Sequence, residues 1–309
     1  MESIAQRTGV GTIGRARLNV GYPSTFGTIQ EWCRTNGIGV QQGHRRFAQY
    51  AVLSAIAEVP SLRRDLVFKG GNALDFMWLL NRSTLDLDFS LDAETSTGHV
   101  DLDSLQSQLQ QGLRVVSGPL GIALKLQRAR ANPRGSDKTF VTYQFNIGYA
   151  LSDETPLRVR MASGEPSSRV IAVEISLNEP QCANTMFVLD ESRQLRIGTL
   201  EDIVAEKLCA LLQQSIRGRD RRQDLLDIAV AILQGQNLDR RHVADYLVEK
   251  SAARSVNVSR AAFYDPEVAR HARKGYAELQ TTTRTCLVAF EEALATVLTF
   301  VDELPIPER

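Results

Sequence analysis

The first 45 residues carry no sustained hydrophobic period, and Gly, Thr and Arg recur among them. They read as an irregular arm with a short helix near 29–34. From 46 to 59 the pattern changes: Phe47, Tyr50, Ala51, Leu53 and Ala57 return at helical spacing, and Pro60 ends the helix they predict. Leu66, Val67 and Phe68 make a short buried strand running into Gly70 and Gly71, with Asn72 placed to cap a helix that reaches about residue 80. After a polar turn at 81–84, residues 85–91 alternate strictly. Leu85, Leu87, Phe89 and Leu91 fall on one face, and Asp86, Asp88 and Ser90 on the other.

Leu102, Leu105, Leu109 and Leu113 mark a further helix. Strands are expected at 122–127 and 139–147, on either side of a loop at 132–137, and at 170–177, where Glu174 lies on the polar face. Beyond about 198 the strand signals stop. Thr199 with Asp202 opens a helix at about 200–214, and others follow at 222–234, 239–249, 266–279 and 282–303. The predicted organisation is an arm over 1–45, an α/β (α+β) core with a mixed sheet flanked by helices over 46–195, and a C-terminal helical domain over 196–309.

Length and composition add limits. A chain of 309 residues with 43% hydrophobic and 23% charged residues builds a sizeable core and has room for an appended domain. The formal net charge is zero, so no global field points to nucleic acid, although a local basic patch is compatible with that sum. Cys33, Cys182, Cys209 and Cys286 stand far apart with no ligand spacing, which predicts free thiols in a reducing compartment and no zinc site. His44, His99, His242 and His271 are scattered. No stretch approaches the ~20 apolar residues of a membrane span, and no secretory signal is visible, so a cytoplasmic protein is expected.

Three groups of residues carry chemistry. Asp86 and Asp88 are two apart on a strand, about 6.6 Å between Cα atoms, where two carboxylates repel by roughly 2.5 kcal/mol at an effective dielectric of about 20. Glu174 joins them if its strand pairs nearby. Such a cluster stays solvated, raises a pKa or binds a cation, and its few hard oxygens suit Mg²⁺, or Mn²⁺ in its place. An isolated Asp-x-Asp is equally a solvated strand face. Lys69-Gly70-Gly71-Asn72 lies at a strand-to-helix junction, where glycines admit a close ligand and the helix N-terminus attracts phosphate; a plain tight turn would have the same composition. Lys207 shares a helix face with Ile203 and Leu211, and Asp224 and Asp227 lie on a helix that is apolar nearly all round. Lys207 then contacts nucleotide phosphate with Asp224 positioning it or a base, or the three form a salt bridge within a helix bundle. The basic runs Arg217, Arg219, Arg221, Arg222 and Arg270, Arg273, Lys274 are either solvated or phosphate and RNA contacts.

Taken in order, strand, Gly-Gly, helix and strand with Asp-x-Asp resemble the signature of the polymerase-β-like nucleotidyltransferase superfamily. The closer resemblance is to the AbiEii/AbiGii-type nucleotidyltransferase toxins. It rests on Lys69-Gly70-Gly71-Asn72-Ala73-Leu74, on the stretch from Arg82 to Phe89 that holds Asp86-Leu87-Asp88, and on Glu206-Lys207-Leu208 followed by Arg222-Gln223-Asp224-Leu225-Leu226-Asp227. Asn72 stands where the family often has Thr or Ser, and Gln223 where a basic residue is more usual. The resemblance implies transfer of a nucleoside monophosphate from a nucleoside triphosphate (NTP) to RNA, such as a tRNA 3′ end, or to a protein hydroxyl. It also implies the toxin role in a toxin–antitoxin or abortive-infection system, with a cognate antitoxin. In that scheme Asp86 and Asp88 hold metal, Glu174 holds a second metal or accepts the acceptor's hydroxyl proton, Lys207 and Asp224 assist catalysis, and Lys69, Gly70, Gly71, Asn72, Arg82, Lys207 and Asp227 serve the nucleotide. Two rivals use the same residues differently. A haloacid-dehalogenase-like phosphatase would use the Asp-x-Asp as nucleophile, but here that motif follows a Gly-Gly helix and Asp224 and Asp227 look helical. A degenerate fold kept as a binding module would not require the intact acids or Lys207.

Overall fold

The computed structural model describes residues 21–79, 84–96, 100–133, 140–283 and 286–309. In chain order, helices α1 (Ile29–Asn36), α2 (Val40–Glu58) and α3 (Pro60–Asp65) lead into strand β1 (Leu66–Lys69). A single turn, α4 (Gly70–Ala73), widens into a π-type turn at Leu74–Trp78 before β2 (Leu87–Leu91). Then come α5 (Leu102–Ser117), β3 (Ala123–Asn132), β4 (Thr142–Ala150), α6 (Thr155–Ala162), β5 (Val170–Ser176), β6 (Asn184–Val188) and β7 (Gln194–Gly198). The remainder is helical: α7 (Leu200–Leu212), α8 (Gln214–Arg217), α9 (Arg222–Leu233), α10 (Arg240–Ala253), α11 (Arg260–Phe263), α12 (Pro266–Arg273) and α13 (Phe290–Asp302).

All seven described strands form one mixed sheet in the order β3-β4-β5-β2-β1-β7-β6. β2 runs parallel to β5 and β1 parallel to β7, while β1 and β2 are antiparallel. The α/β class with a mixed sheet and a following helical region is as predicted. One row of opposed residues, Ile197, Phe68, Phe89, Ile175 and Tyr143, crosses five strands. The first four are fully buried and lie on the face covered by α2. One residue further along each strand the side chains turn to the opposite face, and that face is polar.

α2 and α5 pack together on the buried face. Gly112 of α5 lies so close to α2 that an added Cβ would strike the Ala55 carbonyl oxygen. The arm is tied in as well. Tyr22 stacks on Tyr50 with ring centroids 5.3 Å apart, and its hydroxyl donates to the Leu189 carbonyl at 2.6 Å.

Several elements differ from expectation. α6 and β6 were not anticipated, and the expected boundary at 195 falls inside β7, which pairs with both β1 and β6. Asn72 does not cap a helix: Lys69 holds that position, and Asn72 is fully buried inside α4. The strand expected at 85–91 begins at Leu87, leaving Leu85 exposed. The helix expected at 266–279 stops at Arg273, because Lys274 is extended and Gly275 has φ +68°. The helix expected at 282–303 starts at Phe290. Arg82, His99, residues 1–20 of the arm and most of the 132–137 loop lie outside the described residues. Among the described residues, no helix is long and apolar enough to cross a membrane.

The α2–α5 contact predicts that Gly112→Ala is destabilising by about 1–3 kcal/mol, although alanine is the better helix former. Urea unfolding should show a lower midpoint with an unchanged slope; a raised midpoint would mean that the two helices separate at no cost.

Candidate active site

The polar face carries a second row, one step along from the buried one. Lys69 opposes Asp88 across β1 and β2, Asp88 opposes Glu174 across the parallel β2 and β5, Glu174 opposes Gln144, and Gln144 opposes Arg130. Asp86 sits just before β2 at the open end of the same strand. Asp86, Asp88, Glu174, Lys69, Gly70 and Gly71 all line one cavity of about 590 Å³.

Local structure explains why these residues can stand there. Gly70 has φ +73°, and an added Cβ would collide with the Asp88 carboxylate, so a side chain at this turn would displace the acid. Asn72 works from beneath. Its Nδ2 donates to the Asp86 carbonyl at 2.6 Å, while its Oδ1 accepts from Arg46 Nη1 at 2.9 Å. Arg46 is itself buried against Asp75 at 2.6 Å. Asn72 therefore shapes the backbone leading to Asp86 and is not part of the cavity wall.

The opposite wall comes from the helical region. Lys207 of α7 lines the cavity and is held by Asp224 at 2.7 Å and Asp227 at 2.9 Å, both on α9. Asp224 reaches the cavity as well; Asp227 lies behind Lys207. Arg217, Arg219 and Arg221 rim the same cavity at the α8–α9 connection. Lys69 is buried and paired with Glu179 and, at 3.1 Å, with Glu206 of α7. Glu179 also binds Arg254, the residue that follows α10. The loop that carries Glu179 is clamped to the helices, because Lys250 donates to the Pro180 carbonyl at 2.8 Å and pairs with Asp202 at 3.0 Å. Sequence reasoning did not single out Glu179, Lys250, Arg254 or Gln144. Glu206 entered only as part of a motif.

The electrostatics follow from this geometry. Burial pushes the Asp88 carboxyl up to about 7; Lys69 opposes the shift, and Glu174, Asp86 and Glu206 add to it. Asp86 is raised for the same reasons, first by desolvation and then by Glu174. Burial also works to raise Glu206, but Lys69, Lys250 and Lys207 outweigh it and hold that carboxyl low. Acids thus crowd the sheet side and cations the helical side. Among the described residues, no three His, Cys, Asp or Glu side chains converge closely enough to enclose a metal ion by themselves. The donor set still fits a hard divalent cation. Three carboxylates face one cavity, two are raised, first by burial and then by neighbouring acids whose repulsion a cation would relieve, and the remaining ligands of such an ion are ordinarily waters and substrate phosphates.

Comparison with solved structures places this sheet and its helical cover among the nucleotidyltransferase folds. MenT4, a nucleotidyltransferase toxin from Mycobacterium tuberculosis, superposes with a TM-score of 0.57 at 17% identity, covering 90% of each chain. JHP933 from Helicobacter pylori superposes with a TM-score of 0.50 at 18% identity, covering 85% of this chain and 90% of its own. The particular family is given by the sequence: residues 51–296 match "Nucleotidyl transferase AbiEii toxin, Type IV TA system", and the chain belongs to that family. As the toxin component of type IV toxin–antitoxin systems, the family implies an antitoxin partner. No curated protein matches the sequence significantly.

The raised Asp88 pKa has a consequence for stability. Between its ordinary value of 3.8 and about 7 the folded state binds more protons at this site than the unfolded chain. The site's contribution to stability is therefore full below about 4 and is lost as pH rises through 7. In metal-free buffer at pH 8, Asp88→Asn should be more stable than the parent by on the order of 1–2 kcal/mol, with the gap closing near pH 4. Thermal melts across that range check this, and a destabilised variant at pH 8 would contradict it.

Proposed function

We propose that this chain transfers a nucleoside monophosphate from an NTP to an acceptor hydroxyl on RNA, such as a tRNA 3′ end, and acts in this way as a toxin. The observation that carries the reading is the cross-strand opposition of Asp88 and Glu174, with Asp86 beside them, facing a cavity whose far wall is cationic. Asp86 and Asp88, with Glu174 adjacent, would hold Mg²⁺ or Mn²⁺, which supplies charge neutralisation on the phosphates and lowers the barrier to displacement.

The chain's own groups do the rest. Gly70 and Gly71 keep the wall beside Asp88 free of side chains, so that phosphates approach the backbone. Lys207, fixed in direction by Asp224 and Asp227, offsets charge that develops on the phosphates. Asp227 serves the nucleotide through Lys207 rather than by contact. Lys69 holds the sheet side and α7 together through Glu179 and Glu206, and sets the field at Asp88. Glu174 takes the proton of the acceptor hydroxyl as its oxygen bonds to the α-phosphorus. The bond from that phosphorus to the β-bridging oxygen breaks, and pyrophosphate leaves. Arg217, Arg219 and Arg221, at the cavity rim, suit the phosphates of an RNA acceptor. A phosphatase mechanism needs its later acids free on a loop; Asp224 and Asp227 are instead helical partners of Lys207.

Asp86→Ala and Asp88→Ala should each lower transfer by about 10³-fold or more, and Glu174→Gln by about 10²–10⁴-fold, with melting temperatures close to the parent's. The assay incubates each α-labelled NTP with Mg²⁺, total RNA and the protein, and follows label into RNA together with pyrophosphate release. Full activity in Asp86→Ala, or label that enters no acceptor with any of the four NTPs, would reject the reading. Reversing the rim charge with Arg219→Glu and Arg221→Glu should raise the KM for RNA about tenfold and leave that for NTP within twofold. Equal effects on both would place these arginines at the nucleotide.

A further inference from the structure

This inference rests on the role given above to Glu174. A carboxylate that accepts a proton has two oxygens, and its efficiency depends on which one faces the reacting hydroxyl. Glu174 Oε1 accepts a hydrogen bond from Gln144 Nε2 at 2.7 Å. Gln144 Oε1 in turn accepts from Arg130 Nε at 2.6 Å. The registers of β3 with β4 and of β4 with β5 set the three residues at one level on one face, so each side chain meets the next across a single strand gap. We propose that Gln144, oriented by Arg130, is a positioning residue that engages one oxygen of Glu174 and commits the other to the chemistry.

The argument is one of direction. A glutamine amide by itself can be turned either way, offering oxygen or NH₂ to a given neighbour. A guanidinium only donates. With Arg130 claiming the amide oxygen, the NH₂ is the group that faces Glu174. That NH₂ only donates, so Glu174 Oε1 acts as acceptor, and the proton received in the reaction goes to Oε2. The polarity is thus set end to end from Arg130, an exposed residue on the edge strand β3, to a carboxylate in the cavity. Asn72 shows the same device on the other side of the site: Arg46 claims its oxygen, and its NH₂ holds the Asp86 carbonyl. Displacing a reacting group by about 1 Å costs on the order of 10²-fold in rate, which sets the scale of the expected effect.

Four variants and one structure test the proposal. Gln144→Leu should lower kcat about 10–100-fold with the KM for NTP within twofold and the melting temperature near the parent's. Arg130→Ala should lower kcat several-fold, and Arg130→Lys, which keeps a donor, should restore most of it. The double variant Gln144→Leu with Arg130→Ala should be no worse than Gln144→Leu alone, because Arg130 acts through the amide. A crystal structure of Gln144→Leu should show the Glu174 carboxylate rotated from its parent position, a readout that needs no activity. Losses that multiply in the double variant, a rise in KM with kcat unchanged, or a Glu174 that has not moved would each overturn the relay. If Glu174→Gln is inactive while Gln144→Leu is fully active, only the relay fails. If Glu174→Gln is itself fully active, the role of Glu174 fails, and the crystal structure still decides whether Gln144 positions it.

Discussion

Two carboxylates placed directly opposite each other on parallel strands repel, and much of the cavity is arranged around that repulsion. Asp88 and Glu174 are such a pair, with Asp86 two residues before Asp88. The neighbouring strands answer it with Lys69 on one side and Gln144 on the other. Gly70 removes the side chain that would push Asp88 away, and Asn72 holds the backbone that leads to Asp86. Burial is what chiefly raises the Asp88 carboxyl; Lys69 opposes the shift, and Glu174, Asp86 and Glu206 add to it, a crowding of like charge that a divalent cation would relieve. The site carries an energetic strain of the kind that functional sites keep and that tight packing elsewhere must offset.

The helical region is the counterweight. Its buried Lys207 needs two carboxylates from α9, and its Glu206 needs the buried Lys69 from the sheet. Glu179 joins Lys69 to Arg254 at the end of α10, so the two walls of the cavity are bound together by ion pairs that are themselves largely out of water. Breaking one partner of such a set leaves an uncompensated buried charge, which is costly. Sheet and helices are therefore held at a defined separation across the cavity. The similarity to MenT4 and JHP933 extends over most of all three chains, so the helical cover is included in the shared fold and not only the sheet.

The parts of this arrangement that could be read from the chain are those with local period. The strand at 85–91 shows Leu87 and Phe89 alternating with Asp86 and Asp88, and 170–177 shows Glu174 among Ile171, Val173 and Ile175; their buried faces identify the acids by contrast. Lys207 stands out because it interrupts an apolar helix face. β7 offers only Leu195 and Ile197 as an alternating pair, too short a pattern to separate from a loop, and β6 has a single buried residue, Phe187. The ion pairs of Lys69 with Glu179 and Glu206 span 110 and 137 residues, and distant pairing leaves no trace in local composition. Gln144 looks like any polar residue on a solvated strand face, and its importance lies in a cross-strand register that no single segment encodes. Asn72 could be recognised as a residue beside a turn, but its burial beneath Asp86 depends on Arg46, 26 residues earlier.

The connection through Arg46 reaches further back along the chain. Its Nε donates to the Gly21 carbonyl at 3.1 Å, and Tyr22 beside it packs between Tyr50 and Phe76. The segment at the start of the described chain is thus linked, through one guanidinium and one amide, to the carbonyl of Asp86, an acid that lines the cavity. Trimming or fusing the protein within residues 21–46 is then an intervention at the acidic wall of the cavity, and expression designs that treat this stretch as a dispensable leader would perturb the very acid they aim to study.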